Sequence, residues 1–588
     1  MGGWRDVRQP GGPPGAPDRQ RPGARGGSAL RDLRGRTLWT EHAWLPGGWR
    51  SAVRLTVGRD GRWASVEHGV PPGPDALRLD GPALPGLVDA HSHAFQRAFA
   101  GLAERRVPER PRDDFWSWRE AMYRVARRLG PRALRAVAAQ LDVELLRGGY
   151  TQVCEFHYLH GPPHDEADRR DVDRARESGG AGRPAAAPGE RVPDPASSPV
   201  TVAVGGSRQP QTRPAADDAV AADRAVAAER AVAADRAIPA ESVMAPEGRS
   251  RIGEAGERAP PRCGIEHALE GALALADAAA EAGIGLTLLP ALYERAGFGQ
   301  PALRPEQQRF AGSVESVCAL RDALRAGGRP ELDVGLAIHS LRAVSADSIL
   351  RLLDRLDDAP LHLHIAEQAG EVADCLAATG RRPIEWLAAS VPFDARWQLV
   401  HATHATPAEI DAVARRGAGV VLCPGTEADL GDGLPDLPRW LDAGVPLAIG
   451  SDSQVTRDWP AELRLLEHGQ RLALRRRNIA ASADEPSTAA RLFGRVLDGG
   501  AAAAGHARWG LVVGARADLL VLDLDEPALL GVEPARRLDA LVFASAARPF
   551  RDVLVGGRWS LRGHRHVAGA GIAARFEAAV REVATGGE

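Results

Sequence analysis

The side chains best suited to chemistry are histidines and carboxylates placed where short apolar runs end. "PGLVDAHSHAFQR", residues 85–97, carries His91 and His93 one residue apart. "PLHLHIAE" carries His364 with Glu367 three residues on, "WQLVHATH" carries His401, and "VPLAIGSD" ends on Asp452. In a strand, residues i and i+2 face the same side, so an H-x-H pair aims two imidazoles at one place. Imidazole nitrogen with carboxylate oxygen suits zinc or a similar divalent ion, and a catalytic site keeps one position for water. Any one of these histidines alone reads more readily as a hydrogen-bonded structural residue. That reading fails to explain why H-x-H, H-x-x-E, His and Asp recur at the same end of successive runs.

The elements that must position them are legible as well. Eight near-continuously apolar runs occur in order: "GLVDAHSH", "YTQVCEFHY", "GIGLTLLPALY", "DVGLAIHS", "PLHLHIAE", "WQLVHATH", "AGVVLCPG" and "VPLAIGSD". Such runs are expected of parallel strands buried on both faces, and they alternate with helix-like stretches. Eight strands with reactive residues at their C-terminal ends predict an α/β fold of the (β/α)8 TIM-like barrel class, whose sites form at that face. The alternative, a doubly wound open sheet, expects a Gly-rich phosphate turn that the sequence lacks.

Around the barrel, expected over residues 85–490, the texture changes. Residues 36–84 read as strands, with a hairpin in "SAVRLTVGRDGRWASVE", and strand-like texture returns in "ADLLVLDLD", "LDALVFA" and "RDVLVGGRWSL". Residues 36–84 and 505–588 are therefore expected to build one small β-sandwich domain from both chain ends, closed by a C-terminal helix. Residues 1–35 read as a disordered tail, rich in Gly and Pro and without the apolar core of a secretory signal. Residues 164–262 form a low-complexity insertion containing "AVAADRAVAAERAVAADRA". Its six-residue step advances about 240° around a helix, so Val220, Val226 and Val232 build no apolar stripe, and disorder is the expectation.

Bulk properties exclude several classes. A net charge of −3 with a pI near 6.6 gives no basic footprint for nucleic acid. The five cysteines include no C-x-x-C pair, against a disulfide framework or thiolate zinc site and in keeping with a reducing cytoplasm. No run approaches the ~20 apolar residues of a membrane helix.

"PGLVDAHSH", "HLHIAE", "LVHATH", "IGSDS" and "GLVVGARADLLVLD" resemble the amidohydrolase superfamily of metal-dependent deaminases. More narrowly, "HSHAFQRAFAGL", "FWSWREAMYR", "GYTQVCEFHYLH", "LLPALYERAGFG", "IHSLRAV" and "TEADLGDG" are similar to the formimidoylglutamate deiminases of histidine degradation, over nearly the whole chain from about residue 36. The resemblance implies one divalent ion, usually zinc, held by His91, His93, His364 and Asp452. It gives Asp452 the role of accepting a proton from water, Glu367 that of proton shuttle to the leaving nitrogen, and His401 that of stabilising the tetrahedral centre. It implies a small-molecule substrate, N-formimino-L-glutamate, and a cytoplasmic homodimer.

A dicarboxylate substrate needs cations, and a guanidinium grips a carboxylate through two parallel hydrogen bonds. Arg342 in "HSLR" and Arg119 in "FWSWRE" are suited to this, and the resemblance adds Gln96, Tyr158 and His339 as substrate contacts. Arg119 reads equally as a surface helix residue, Tyr158 as a strand-end aromatic and Gln96 as a helix cap. Phe115, Trp116 and Trp118 are expected to be core packing that positions Arg119; "TEADLGDG" walls the mouth and carries no assigned chemistry. The insertion, which departs from the family pattern, follows Tyr158 and His160 almost directly.

Overall fold

The computed structural model describes residues 32–105, 115–163 and 262–585. Apolar runs flanked by Gly and Pro become strands whose two faces both need cover, and they pair side by side in chain order. The barrel strands are Leu87–Ser92, Tyr150–His157, Gly285–Leu292, Leu332–Val334 continuing as Leu336–Ser340, Leu361–Ile365, Trp397–His401, Gly419–Leu422 and Leu447–Ile449. Each pairs parallel with its chain neighbour. A parallel bridge between Ser92 and Asp452 joins the last strand's end to the first. That bridge closes the sheet into a barrel and removes the open-sheet alternative.

Between strands run helices whose ends follow local rules. Pro407–Arg416 starts on a reciprocal capping box, Thr406 with Glu409, and carries Pro at its first turn. It stops at Gly417, whose φ of 70° is the left-handed conformation glycine takes at no steric cost. The barrel's last helix, Thr488–Ala503, lies against strands one and eight: a Cβ on Gly499 would meet the Leu447 backbone at 2.1 Å, and one on Gly500 would meet Val88 at 3.0 Å. The boundary expected at 490 thus falls inside this helix, because small residues let it pack directly on the sheet.

Strands from both chain ends form one continuous sheet that includes Thr37–Leu45, Gly48–Val57, Trp63–Glu67, Ala83–Leu84, Leu519–Leu522, Phe550–Val555 and Arg558–Arg562. It folds back on itself: Trp63 exchanges hydrogen bonds with Gly514 and Ala515, just before Leu519, around a core that includes Leu55, Trp63, Leu519 and Trp559. Two sequence expectations change here. "LDALVFA" is helical, within Arg537–Phe543, because Leu538, Leu541 and Val542 at spacings of three and four bury one helix face. The N-terminal boundary also moves: Leu33 is buried in the sheet core and its N–H donates to Gly557 O at 2.8 Å. The insertion expected at 164–262 lies outside the described residues except for its last position, where helix Arg262–Ala282 begins. Residues 1–31 of the expected tail also lie outside them.

Candidate active site

The barrel's C-terminal face gathers the predicted residues because strand ends converge there. His91 lies in strand one, His93 just beyond it, His364 in strand five, His401 at the last position of strand six, and Asp452 past strand eight. The closing backbone is direct, with Asp452 N–H donating to His91 O at 2.9 Å and His93 N–H to Asp452 O at 3.4 Å. His401 and Asp452 have φ of 68° and 43°, left-handed conformations costing roughly 1–3 kcal/mol each for non-glycine residues. Strained backbone at two of the reactive residues is a mark of a functional site. A Cβ on Gly450 would meet the His91 Cβ at 2.7 Å and its carbonyl oxygen at 2.8 Å. Gly450→Ala is therefore expected to displace His91, lowering bound metal as well as Tm, with a cost of about 1–3 kcal/mol typical of overpacking. Metal analysis beside thermal unfolding checks this.

The donor atoms lie close together. His91 Nε2 is 2.9 Å from His364 Nε2, and Asp452 Oδ1 is 3.4 Å from the Nε2 of both His91 and His93. A tetrahedral zinc with Zn–N near 2.1 Å spaces its ligands about 3.4 Å apart, close to the Asp452 spacings; the ligating atoms of His91, His93 and Asp452 lie within 4.8 Å of one another, and so do those of His91, His364 and His401. Their tautomers agree: His93 Nδ1–H donates to Phe156 O and His364 Nδ1–H to His339 O, each at 2.9 Å, which leaves both Nε2 lone pairs free. Burial lowers the pKa of all three histidines, to about 3 for His91, so each is a neutral donor. Burial alone would raise Asp452, but the surrounding His91, His401 and His93 hold it well below the usual carboxylate range. The donor set and its spacing fit a divalent ion.

His401 differs from the other three. Its Nε2 lies 3.8 Å from Glu367 Oε1 and 3.7 Å from Asp452 Oδ2, and its Nδ1 lies 3.6 Å from Glu427 Oε1. Burial works to deprotonate it, yet Glu367, Glu427 and Asp452 outweigh burial and hold its pKa up at about 10. His401 is thus an imidazolium, suited to negative charge. Burial and the nearby Asp452 raise Glu367, against the pull of His401, so its carboxyl takes up a proton more readily than an exposed one.

A cavity of about 60 Å³ opens above these groups. Gln96, Arg119, Tyr158, His339 and Arg342 all line it, together with His93, His364, Glu367, His401 and Asp452; His91 lies beneath. Neither Arg119 nor Arg342 forms an ion pair with a carboxylate among the described residues, and the buried Arg342 Nε has no hydrogen-bond partner. Arg119 is instead held by aromatic faces, its guanidinium carbon 4.3 Å from the Trp116 ring centre and 5.5 Å from that of Tyr123. Phe115 and Trp118 line the cavity, but Trp116 is 39% exposed; it is a platform for Arg119 rather than core. Tyr158 is buried with its ring 5.0 Å from that of His93.

The amidohydrolase family model matches residues 255–560, just over half of the chain, a stretch that contains His364, His401 and Asp452. The chain belongs to the amidohydrolase family. Within that family it is 40% identical over 539 residues to the formimidoylglutamate deiminase of Pseudomonas aeruginosa, spanning 90% of this chain and 95% of that protein. The crystal structure of an amidohydrolase from Brucella melitensis superposes with a TM-score of 0.73 at 34% identity, covering 94% of this chain and all of that one. An adenosine deaminase from Xanthomonas campestris with bound zinc shares the fold, with a TM-score of 0.63 at 20% identity over 94% of this chain and all of that one.

In this amidohydrolase the structure adds groups that carry no role in the sequence reading. Glu427, in the "TEADLGDG" stretch, sits beneath His401 and accepts a hydrogen bond from Cys423 N–H at 3.0 Å. Glu155 accepts from Ser92 Oγ–H at 2.9 Å and from Ala94 N–H, bracing both sides of His93. Asp89 accepts from Ser451 N–H and Oγ–H, which holds the turn before Asp452. Each is one acidic residue inside an apolar or loop stretch, without a spacing that marks it. Tyr123 and Tyr293 complete the cavity wall.

Proposed function

We propose that the chain hydrolyses N-formimino-L-glutamate to N-formyl-L-glutamate and ammonia, a step of histidine degradation, with one divalent ion, zinc by preference. The observation that carries this reading is the pair of arginines lining one cavity with the reactive carboxylates, neither arginine ion-paired to a carboxylate among the described residues. A substrate with two carboxylates supplies both partners, while a flat nucleobase or triazine would leave two cations desolvated and unpaired. The 40% identity to a formimidoylglutamate deiminase over 95% of that protein points the same way.

His91, His93, His364 and Asp452 would hold the ion. Bound there, it supplies a Lewis acid that lowers the pKa of water from 15.7 to about 7. Arg119 and Arg342 bind the two carboxylates, and Gln96, Tyr158 and His339 orient the formimino group over Asp452. Asp452 Oδ2, on the side of His401, accepts a proton from the attacking water as its oxygen bonds to the formimino carbon. Glu367 carries a proton to the imino nitrogen, giving a tetrahedral carbon that bears OH, NH2 and the glutamate nitrogen. The His401 imidazolium offsets negative charge as it develops on oxygen. A second proton delivered through Glu367 lets ammonia leave, and loss of the hydroxyl proton leaves the formyl group.

The geometry makes Arg342→Lys informative, because an ammonium cannot copy the two-pronged guanidinium grip. KM is expected to rise about tenfold or more, with kcat changed less. Comparing ammonia release from N-formimino-L-glutamate, guanine and cytosine tests the reading as a whole. Release from the first alone supports it, and release from either base without it overturns it. We place the enzyme in the cytoplasm as a homodimer; the buried free thiols Cys154, Cys318, Cys375 and Cys423 accord with a reducing compartment.

A further inference from the structure

The cavity end that holds the arginines also carries two phenols, Tyr123 and Tyr293. Tyr293 directly follows strand three, Gly285–Leu292, and its backbone is pinned by Gly312 N–H donating to Tyr293 O at 2.9 Å. Its ring centre is 4.4 Å from that of His339, and the residue is 3% exposed. Gln307 Nε2–H donates to the Tyr293 hydroxyl oxygen at 2.9 Å. The Gln307 amide cannot turn around, because its Oε1 accepts Arg304 N–H at 3.0 Å.

A phenol has one hydrogen to give. Gln307 occupies the Tyr293 oxygen as acceptor and leaves that hydrogen pointing elsewhere. Tyr123 lies beside Tyr293, so one phenol can donate to the other, yet the pair still holds one hydrogen more than it uses. On that side stand Arg119 and Arg342, which accept nothing. Burial keeps the Tyr293 phenol protonated, so of the two phenolic hydrogens one remains for a ligand. A carboxylate oxygen of a ligand in the cavity is a suitable acceptor for it.

We infer that Tyr293 is a specificity-determining contact to one substrate carboxylate, and that Gln307 is a positioning residue that aims its hydroxyl hydrogen. The inference rests on the proposed dicarboxylate substrate and adds to it a neutral donor of fixed direction beside two guanidiniums. The arginines supply charge with adaptable geometry; the oriented phenol fixes where one carboxylate oxygen must sit, and so the chain length that places the formimino carbon over Asp452.

The test compares steady-state kinetics of the parent enzyme, Tyr293→Phe and Gln307→Glu. Tyr293→Phe removes only the hydroxyl; KM is expected to rise about tenfold or more while kcat stays within about threefold. Gln307→Glu keeps an acceptor for Arg304 N–H but turns the Tyr293 hydrogen toward itself, so its KM is expected to rise at least as far. Two substrates with one carboxylate missing, N-formimino-L-glutamine and N-formimino-4-aminobutyrate, separate contact from scaffolding. For one of them the KM ratio between Tyr293→Phe and parent is expected to collapse to within about twofold. A ratio that persists with both, or an unchanged KM in both variants while the parent turns over the dicarboxylate, overturns this inference alone. A parent inactive on N-formimino-L-glutamate overturns the functional reading and this inference together.

Discussion

Asp452→Asn is expected to lower kcat on N-formimino-L-glutamate by at least about a thousandfold, within the 10²–10⁴-fold that general acid–base groups supply. The substitution is nearly isosteric, so the fold should survive, but it touches two functions at once. Oδ1 stands 3.4 Å from both His91 and His93 Nε2, where a neutral amide is a poorer metal ligand. Oδ2 stands 3.7 Å from His401 Nε2, where an amide accepts no proton from water. Loss of turnover should therefore come with reduced metal content. Turnover of Asp452→Asn within a few-fold of the parent would remove Asp452 from the mechanism.

Glu367→Gln should separate these two functions. Glu367 lies 3.8 Å from His401 Nε2 and lines the cavity, but it is absent from every cluster of metal-ligating atoms among the described residues. A glutamine fills its place without carrying a proton. The expected result is a fall in kcat of about 10²–10⁴-fold, with metal content unchanged and KM within a few-fold. A matching loss of metal would make Glu367 a structural support for the ion site instead of a proton carrier.

These expectations show which parts of the site could be read from sequence. The strands were legible because parallel barrel strands are apolar on both faces, and His91, His93, His364, His401 and Asp452 stood out as polar residues ending such runs. The cavity residues Gln96, Tyr158 and His339 came from family resemblance, and Arg119 and Arg342 from the dicarboxylate that resemblance implies, since nothing in the spacing of a lone arginine or tyrosine shows where it faces. Glu427 was passed over because its meaning is tertiary: only the short helix Pro424–Leu430 brings its carboxylate under the His401 ring. Tyr293 ends an apolar run with nothing in sequence to set it apart; its role depends on Gln307, fourteen residues on, which holds its hydroxyl. "LDALVFA" misled because apolar residues spaced for a short helix also satisfy a strand of similar length.

If a divalent ion and this residue set together deaminate N-formimino-L-glutamate, removing the ion must stop the reaction. Ammonia release from that substrate, followed before and after chelation and then during zinc titration, tests it most directly. Turnover is expected to vanish with the ion and to return fully at one zinc per chain. Undiminished ammonia release from chelated, metal-free protein would contradict it.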